Sequence, residues 1–123
     1  MTVLLICLLG GLGAMARFTV EGTVRQRWGT SFPAGTVFVN VSGSFLAGLL
    51  SGAALAGALG GPAAAAAVVG FCGGYTTFST AMADTVRLAR DGQAIRAVLN
   101  AAGTGALTVL AVLAGLAAAA PLG

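Results

Sequence analysis

Every charged side chain of this chain falls in one of two short segments, 17–27 and 84–96. Residues 1–16, 28–83 and 97–123 contain no Asp, Glu, Lys or Arg. Only 7% of the residues are charged, against about 25% in an ordinary soluble domain. A water-facing surface cannot be assembled from nine charges, so lipid must be the solvent for most of the molecule. The mean hydropathy of +0.99 agrees. The net charge of +3 therefore does not point to nucleic acid. All the basic residues are arginines, and on so apolar a chain they are read as topology markers at the cytoplasmic face.

The uncharged runs set the number of crossings. A helix needs roughly 20 apolar residues to traverse about 30 Å of hydrocarbon. Segment 28–83 is too long for one such helix and suits two. The break between them is expected at Gly57-Ala-Leu-Gly-Gly-Pro62, where glycines end one helix and Pro62 suits the first turn of the next. The expected fold class is thus an all-α integral membrane protein, one domain of four transmembrane helices over about 3–20, 33–56, 62–82 and 95–120. The first apolar run has no basic residue before it and is read as a span, not a cleaved leader.

Loop one then carries Arg25, Arg27, Trp28 and Pro33, and loop three carries Asp84, Arg87, Arg90 and Asp91 on what could be a continued helix. Cys7 and Cys72 lie in apolar runs without paired spacing and read as small hydrophobes. Twenty glycines argue for a tightly packed bundle, and Gly48-x-x-x-Gly52 has the spacing for a close helix crossing. Four short helices do not readily enclose a pore alone, so an oligomer is expected.

The third span holds the strongest chemical signal, Gly70-Phe-Cys-Gly-Gly-Tyr-Thr-Thr-Phe-Ser-Thr80. Two adjacent glycines and a run of hydroxyl residues are poor helix material. In lipid each freed backbone group must find a partner inside the protein, so broken helices occur where they line a site or cavity. The alternative is a kinked span whose Ser and Thr side chains bond back to their own carbonyls.

Three segments, in order and spacing, resemble the Fluc (CrcB-type) family of bacterial fluoride channels. Gly73-Gly74-Tyr75-Thr76-Thr77-Phe78-Ser79-Thr80 is similar to the family's third-helix signature. Gly10-Gly-Leu-Gly-Ala-Met-Ala-Arg17-Phe18 is similar to its first-helix motif, and Gly35-Thr-Val-Phe-Val-Asn40-Val-Ser-Gly43-Ser-Phe-Leu-Ala-Gly48 to its second-helix Val-Asn motif. With the four-helix length, the resemblance covers essentially the whole chain.

The resemblance implies an antiparallel dimer in a bacterial plasma membrane, with two narrow pores that pass fluoride down its gradient. It further implies a structural sodium ion at the dimer centre, held by the main-chain carbonyls of Gly73 and Thr76. Phe78 matches the first ring of the family's pore pair, and an aromatic ring edge is electropositive enough to face an anion. Asn40 is the sole amide in the first three spans, and a buried amide is costly unless satisfied. Its expected role is to donate to the ion. Ser44, one turn further on, together with Thr77, Ser79, Thr104 and Thr108, resembles a polar track that exchanges water for hydroxyls. Each of these hydroxyls could equally serve helix packing. Arg17 would be a vestibule arginine that concentrates anions, or a snorkelling arginine ion-paired with Glu21. One position departs from the family: its second pore phenylalanine is replaced by Ala81.

Two transport-free or different readings compete. A small four-helix multidrug or cation exporter would need a titratable carboxylate within the membrane, and Glu21 and Asp84 lie near span ends. A non-transporting assembly subunit would leave the hydroxyl-rich third span without a purpose. An enzyme is least supported, because there is no His, no nucleophile–base pair and no metal cluster in the sequence. All six arginines fall on the loop-one side, which predicts one orientation with both termini outside. An antiparallel dimer would then need a homologous second subunit of opposite bias, favoured here over a homodimer.

Overall fold

The computed structural model describes residues 1–122. Helix α1 runs over Thr2–Trp28 and α2 over Ala34–Leu55. Helix α3 covers 61–75, with widened i→i+5 turns at Ala66–Cys72. Two extended residues follow, and α4 spans Phe78–Arg90. Helix α5 covers Ala94–Ala119, again with widened turns at Leu99–Gly103, and ends in a short 3₁₀ turn at Ala120–Leu122. Helices α1, α2 and α5 are each long and apolar enough to cross a membrane.

The helices outrun the apolar runs that predict them. At 1.5 Å per residue the 27 residues of α1 extend about 40 Å, beyond the hydrocarbon layer. Arg25, Arg27 and Trp28, expected in loop one, therefore sit on its last two turns. Asp84, Arg87 and Arg90 sit on α4 in the same way, with Asp91 as its C-cap. Hydropathy marks where lipid ends, and an intrahelical hydrogen-bond ladder continues past that point. Gly57 and Gly61 adopt φ of 77° and 61°, so the glycines turn the chain, and Pro62 lies in the first turn of α3. That connection is where the sequence puts it.

Two glycine seams hold the layers. Along α2 and α5, a Cβ added to Gly48 would lie 2.2 Å from the Val112 carbonyl oxygen, and one added to Gly115 would lie 2.2 Å from that of Phe45. Backbones meet there directly, so the Gly48/Gly52 spacing is indeed a close crossing. On the other side α1 packs against α3, where a Cβ on Gly74 would fall 2.1 Å from the Gly10 carbonyl oxygen. The outward faces carry exposed Val3, Leu4, Leu8, Leu12, Val109, Leu110 and Leu113, as expected of surfaces whose solvent is lipid. Replacing Gly48 with Leu should abolish recovery of folded, monodisperse protein in mild detergent, because the obstruction is backbone and cannot swing aside. Gly73→Leu should fold, since nothing lies within 4 Å of a Cβ there. Size-exclusion profiles of the two variants check this.

Candidate functional site: a polar cleft at the broken helix

The chain opens one turn later than the glycine pair suggests. Gly73 and Gly74 are helical, and the extended residues are Thr76 (φ −86°, ψ 159°) and Thr77 (φ −150°, ψ 119°). The glycines serve packing, Gly74 against Gly10, while two β-branched threonines adopt the extended backbone they favour. The break is complete rather than a kink. Both possibilities weighed from sequence nonetheless leave a trace, because Thr76 Oγ1 does bond back to the Cys72 carbonyl (2.9 Å) and closes the end of α3.

Three of the backbone groups released by the break find side-chain partners. The Thr77 N–H, which would have closed the next turn onto Gly73, instead donates to Asn40 Oδ1 (2.7 Å). Asn40 Nδ2 donates in return to the Thr77 carbonyl (2.9 Å). One amide on α2 thus replaces the ladder acceptor that the Thr77 N–H has lost and adds a donor to the carbonyl of the same residue, a large stabilisation where water is absent. Thr77 Oγ1 then caps α4 by accepting the Thr80 N–H at 3.2 Å. Ser79 Oγ lies 3.3 Å from the same hydroxyl. The freed Thr76 carbonyl receives Arg17 Nη1 at 3.4 Å.

Arg17 is accordingly not at the end of α1. It lies partway along a 27-residue helix at the level of the break, and it makes no ion pair with Glu21. Among the described residues the ion pair is Arg87–Asp84, at 3.2 Å.

Beside the break lies a cleft of about 250 Å³. Asn40 and Ser44 of α2, Thr77 and Phe78 at the start of α4, and Thr104 and Thr108 of α5 all line it, as does Ala81. These are the residues the sequence singles out on three separate segments, and the fold brings them together. Arg17, Gly73 and Ser79 lie outside this lining, whereas Thr76 is part of it. Phe78 is 79% exposed.

The donors differ in availability. Thr108 Oγ1 is spent on the Gly105 carbonyl (2.9 Å). Thr104 Oγ1 is buried and has no partner among the described residues. Ser44 makes no side-chain hydrogen bond there, and the second N–H of Asn40 is uncommitted. Asn40 therefore has a structural duty that sequence reasoning did not foresee, with one donor left over.

A second, smaller cleft of about 120 Å³ lies towards the loop-one end, lined by Glu21, Arg25, Thr36, Asp84 and Arg87 among others. Thr36 Oγ1 donates to Asp84 Oδ2 at 3.0 Å. Thr36, Asn40 and Ser44 are spaced by four on α2, so one helical face links the two clefts. Sequence reading gave Thr36 no role, although the i, i+4 extension of the Asn40–Ser44 pair was the available signal, and it weighed Asp84 only as a carboxylate near a span end. It also missed Tyr75, whose hydroxyl lies 3.1 Å from Ser42 Oγ.

Comparison with known proteins adds an independent line. Residues 4–116 match the family described as CrcB-like protein, Camphor Resistance (CrcB). The chain is 44% identical over 103 residues to the fluoride-specific ion channel FluC 1 of Leifsonia xyli subsp. xyli, covering 84% of this chain and 75% of that protein. It is 43% identical to the fluoride-specific ion channel FluC 2 of Cutibacterium acnes, over 95% of this chain and 96% of the relative. The FluC protein of Acidobacterium capsulatum is 44% identical over 94% of both chains.

Proposed function

The chain belongs to the CrcB-like family, and from that premise we propose that it is a fluoride channel subunit that lets the ion leave the cytoplasm down its gradient. The observation that carries this reading is the cleft, which gathers an amide donor, unpartnered hydroxyls and an aromatic ring without any carboxylate. Fluoride is small and strongly hydrated. It can leave water only where several donors replace its shell, and Ser44, Thr104 and the spare Asn40 N–H offer that in a dry wall. Phe78 shares the same lining, and a ring turned edge-on to the ion would meet it with partial positive charge. A cation exporter would need an acidic group here, and the cleft lining has none.

The reading extends to architecture. Helices α3 and α4 together would form the fourth crossing, interrupted where the path runs. The cleft is open on the side of Phe78, so its missing wall would come from a second subunit, packed antiparallel in a bacterial plasma membrane. Ala81 lines the cleft where a second ring would otherwise stand, and the partner would fill that space.

The chain's oxygens suit the structural sodium ion that the family resemblance implies. Thr77 N–H is diverted from Gly73 and Thr80 N–H is capped by Thr77, which leaves the Gly73 and Thr76 carbonyls without their ladder donors. Neutral hard oxygens fit an alkali cation, and two chains would contribute four of them. Arg17, 3.4 Å from the Thr76 carbonyl, would have to withdraw from it. Bound sodium would supply only structural charge at the subunit contact.

Reconstitution tests the function. Liposomes loaded with potassium fluoride and containing this chain, with its partner where one is needed, should release fluoride when a potassium ionophore removes the electrical limit. A fluoride electrode reads the efflux, which should need no proton gradient. Proton-driven uptake of an organic cation, with no fluoride release, would overturn the proposal.

A further inference from the structure

Asn100 is one of the two largest fully buried side chains, 1% exposed, and it is polar. The other buried polar side chains, Thr36, Asn40, Thr77 and Thr104, all line one of the two clefts. Asn100 lines neither. A primary amide hidden in an apolar bundle costs several kcal/mol unless its groups are used, so its position calls for a duty other than touching the ion.

That duty is visible in the hydrogen bonds of its N–H groups, while Oδ1 is buried without a partner among the described residues. Nδ2 donates to the Ala81 carbonyl at 3.1 Å and to Thr85 Oγ1 at 2.8 Å. Thr85 Oγ1 donates to the same Ala81 carbonyl at 2.8 Å. Amide, hydroxyl and carbonyl close a triangle that ties α5 to the first turns of α4. Asn100 lies in the widened turn at Leu99–Gly103, and such π-helical turns often mark functional positions.

We infer that Asn100 is a positioning residue for the anion path, acting through Ala81 and Thr85 on Phe78. The inference rests on the fluoride reading for its functional half only. Asn40 on α2 pins Thr77, the residue before Phe78, by both backbone groups. Asn100 on α5 pins Ala81, three residues after it. Phe78 is itself 79% exposed, so within this chain no packing orients the ring and its direction is inherited from the backbone between the two clamps. A helix that restarts after a break has no ladder to the helix before it. Without the second clamp, α4 would be free to rotate about its cap at Thr77 and carry the ring out of line.

The experiment pairs Asn100→Leu, which keeps the branched shape at a larger volume and removes both donors, with the isosteric Thr85→Val, which breaks the same triangle more gently. Hydrogen exchange is measured over residues 78–88 and, as a reference, over 39–53 of α2. Fluoride and chloride permeabilities are measured in liposomes. In Asn100→Leu, exchange over 78–88 should speed up roughly five- to a hundredfold, the range for losing a bond to a buried carbonyl. Exchange in the reference segment should not change. The fluoride-to-chloride ratio should fall roughly ten- to a hundredfold, as for a positioned group displaced by about an ångström. Thr85→Val should show the same pattern at smaller amplitude, and it decides the matter alone if Asn100→Leu does not assemble. Unchanged exchange over 78–88 overturns the clamp. Faster exchange with an unchanged ratio overturns its role in the path. A wild-type channel, reconstituted with its partner where one is needed, that passes no fluoride defeats the proposed function, and the exchange measurement still judges the clamp.

Discussion

Fluoride efflux from reconstituted liposomes should fall roughly a hundredfold when Phe78 is replaced by Ile, the order of loss for removing one aligned electrostatic partner from a dry site. Isoleucine keeps a bulky apolar group on the exposed face and leaves the capping threonine untouched, so the protein should still assemble. Only the electropositive ring edge disappears. Asn40→Asp should be more severe. A carboxylate about 4 Å from the ion, at an effective dielectric of about 20, repels it by about 4 kcal/mol, close to a thousandfold. The same change replaces the Nδ2 donor to the Thr77 carbonyl with an oxygen, so the break would also lose half of its clamp. Asn40→Ala separates the two effects, because it removes the clamp without adding charge and should retain more flux than Asn40→Asp. Efflux by electrode, with size-exclusion profiles to certify assembly, reads all three. Near wild-type flux in both Phe78→Ile and Asn40→Asp would place the path elsewhere.

The cleft residues were legible because the requirement that makes them rare also makes them visible. In lipid, a polar side chain within a span must have a reason. Asn40, Thr77, Thr104 and Thr108 stand out against alanine and leucine, and a spacing of four puts Asn40 with Ser44 and Thr104 with Thr108 on shared faces. What could not be read was the direction of each hydrogen bond. Whether Asn40 faces an ion or a backbone depends on where α3 stops, and that was misplaced by one turn. Glycine pairs and threonine pairs both disfavour a helix. Close packing of Gly74 on Gly10 kept the first pair helical, so the second pair opened. Sequence composition ranks propensity, and tertiary contact decided between the candidates.

Charge showed the opposite pattern. The arginines were legible as a group and illegible singly. Arg25, Arg27, Arg87 and Arg90 lie on helical extensions whose exposed ends suit an interfacial position. Arg17 has the same residue type and similar neighbours in sequence, yet it reaches the Thr76 carbonyl at the break. A guanidinium that satisfies a freed carbonyl escapes much of the desolvation cost that would otherwise drive it to the surface. Asn100 was missed for a related reason. Its partners, Ala81 and Thr85, have no polar pattern that points across to α5, so only the packed structure joins them.

The orientation of the chain should be single, and the helical register strengthens that expectation. Of the six arginines, Arg17 belongs to the break and is set aside as a topology signal. The remaining five all lie at the end of the bundle that holds the α1–α2 and α4–α5 connections. None lies at the end that holds residue 1, the α2–α3 connection and the end of α5. Five to none is decisive on the rule that basic residues stay cytoplasmic, and Glu21, Asp84 and Asp91 weigh little against it. Inversion would carry five guanidinium groups across the bilayer, each opposed by a few kcal/mol. A terminal tag should therefore be accessible from outside in essentially every copy, and a tag placed between Gly29 and Phe32 should be accessible only after the cells are opened. An antiparallel pair made from one such sequence would require half of the copies to invert. The proposed second subunit is thus expected to be a homologue whose basic residues sit at the opposite end, and co-expression of the two should yield fluoride efflux that neither yields alone. Equal inside and outside populations of the terminal tag, or full efflux from this chain reconstituted by itself, would refute the two-gene channel and restore the homodimer.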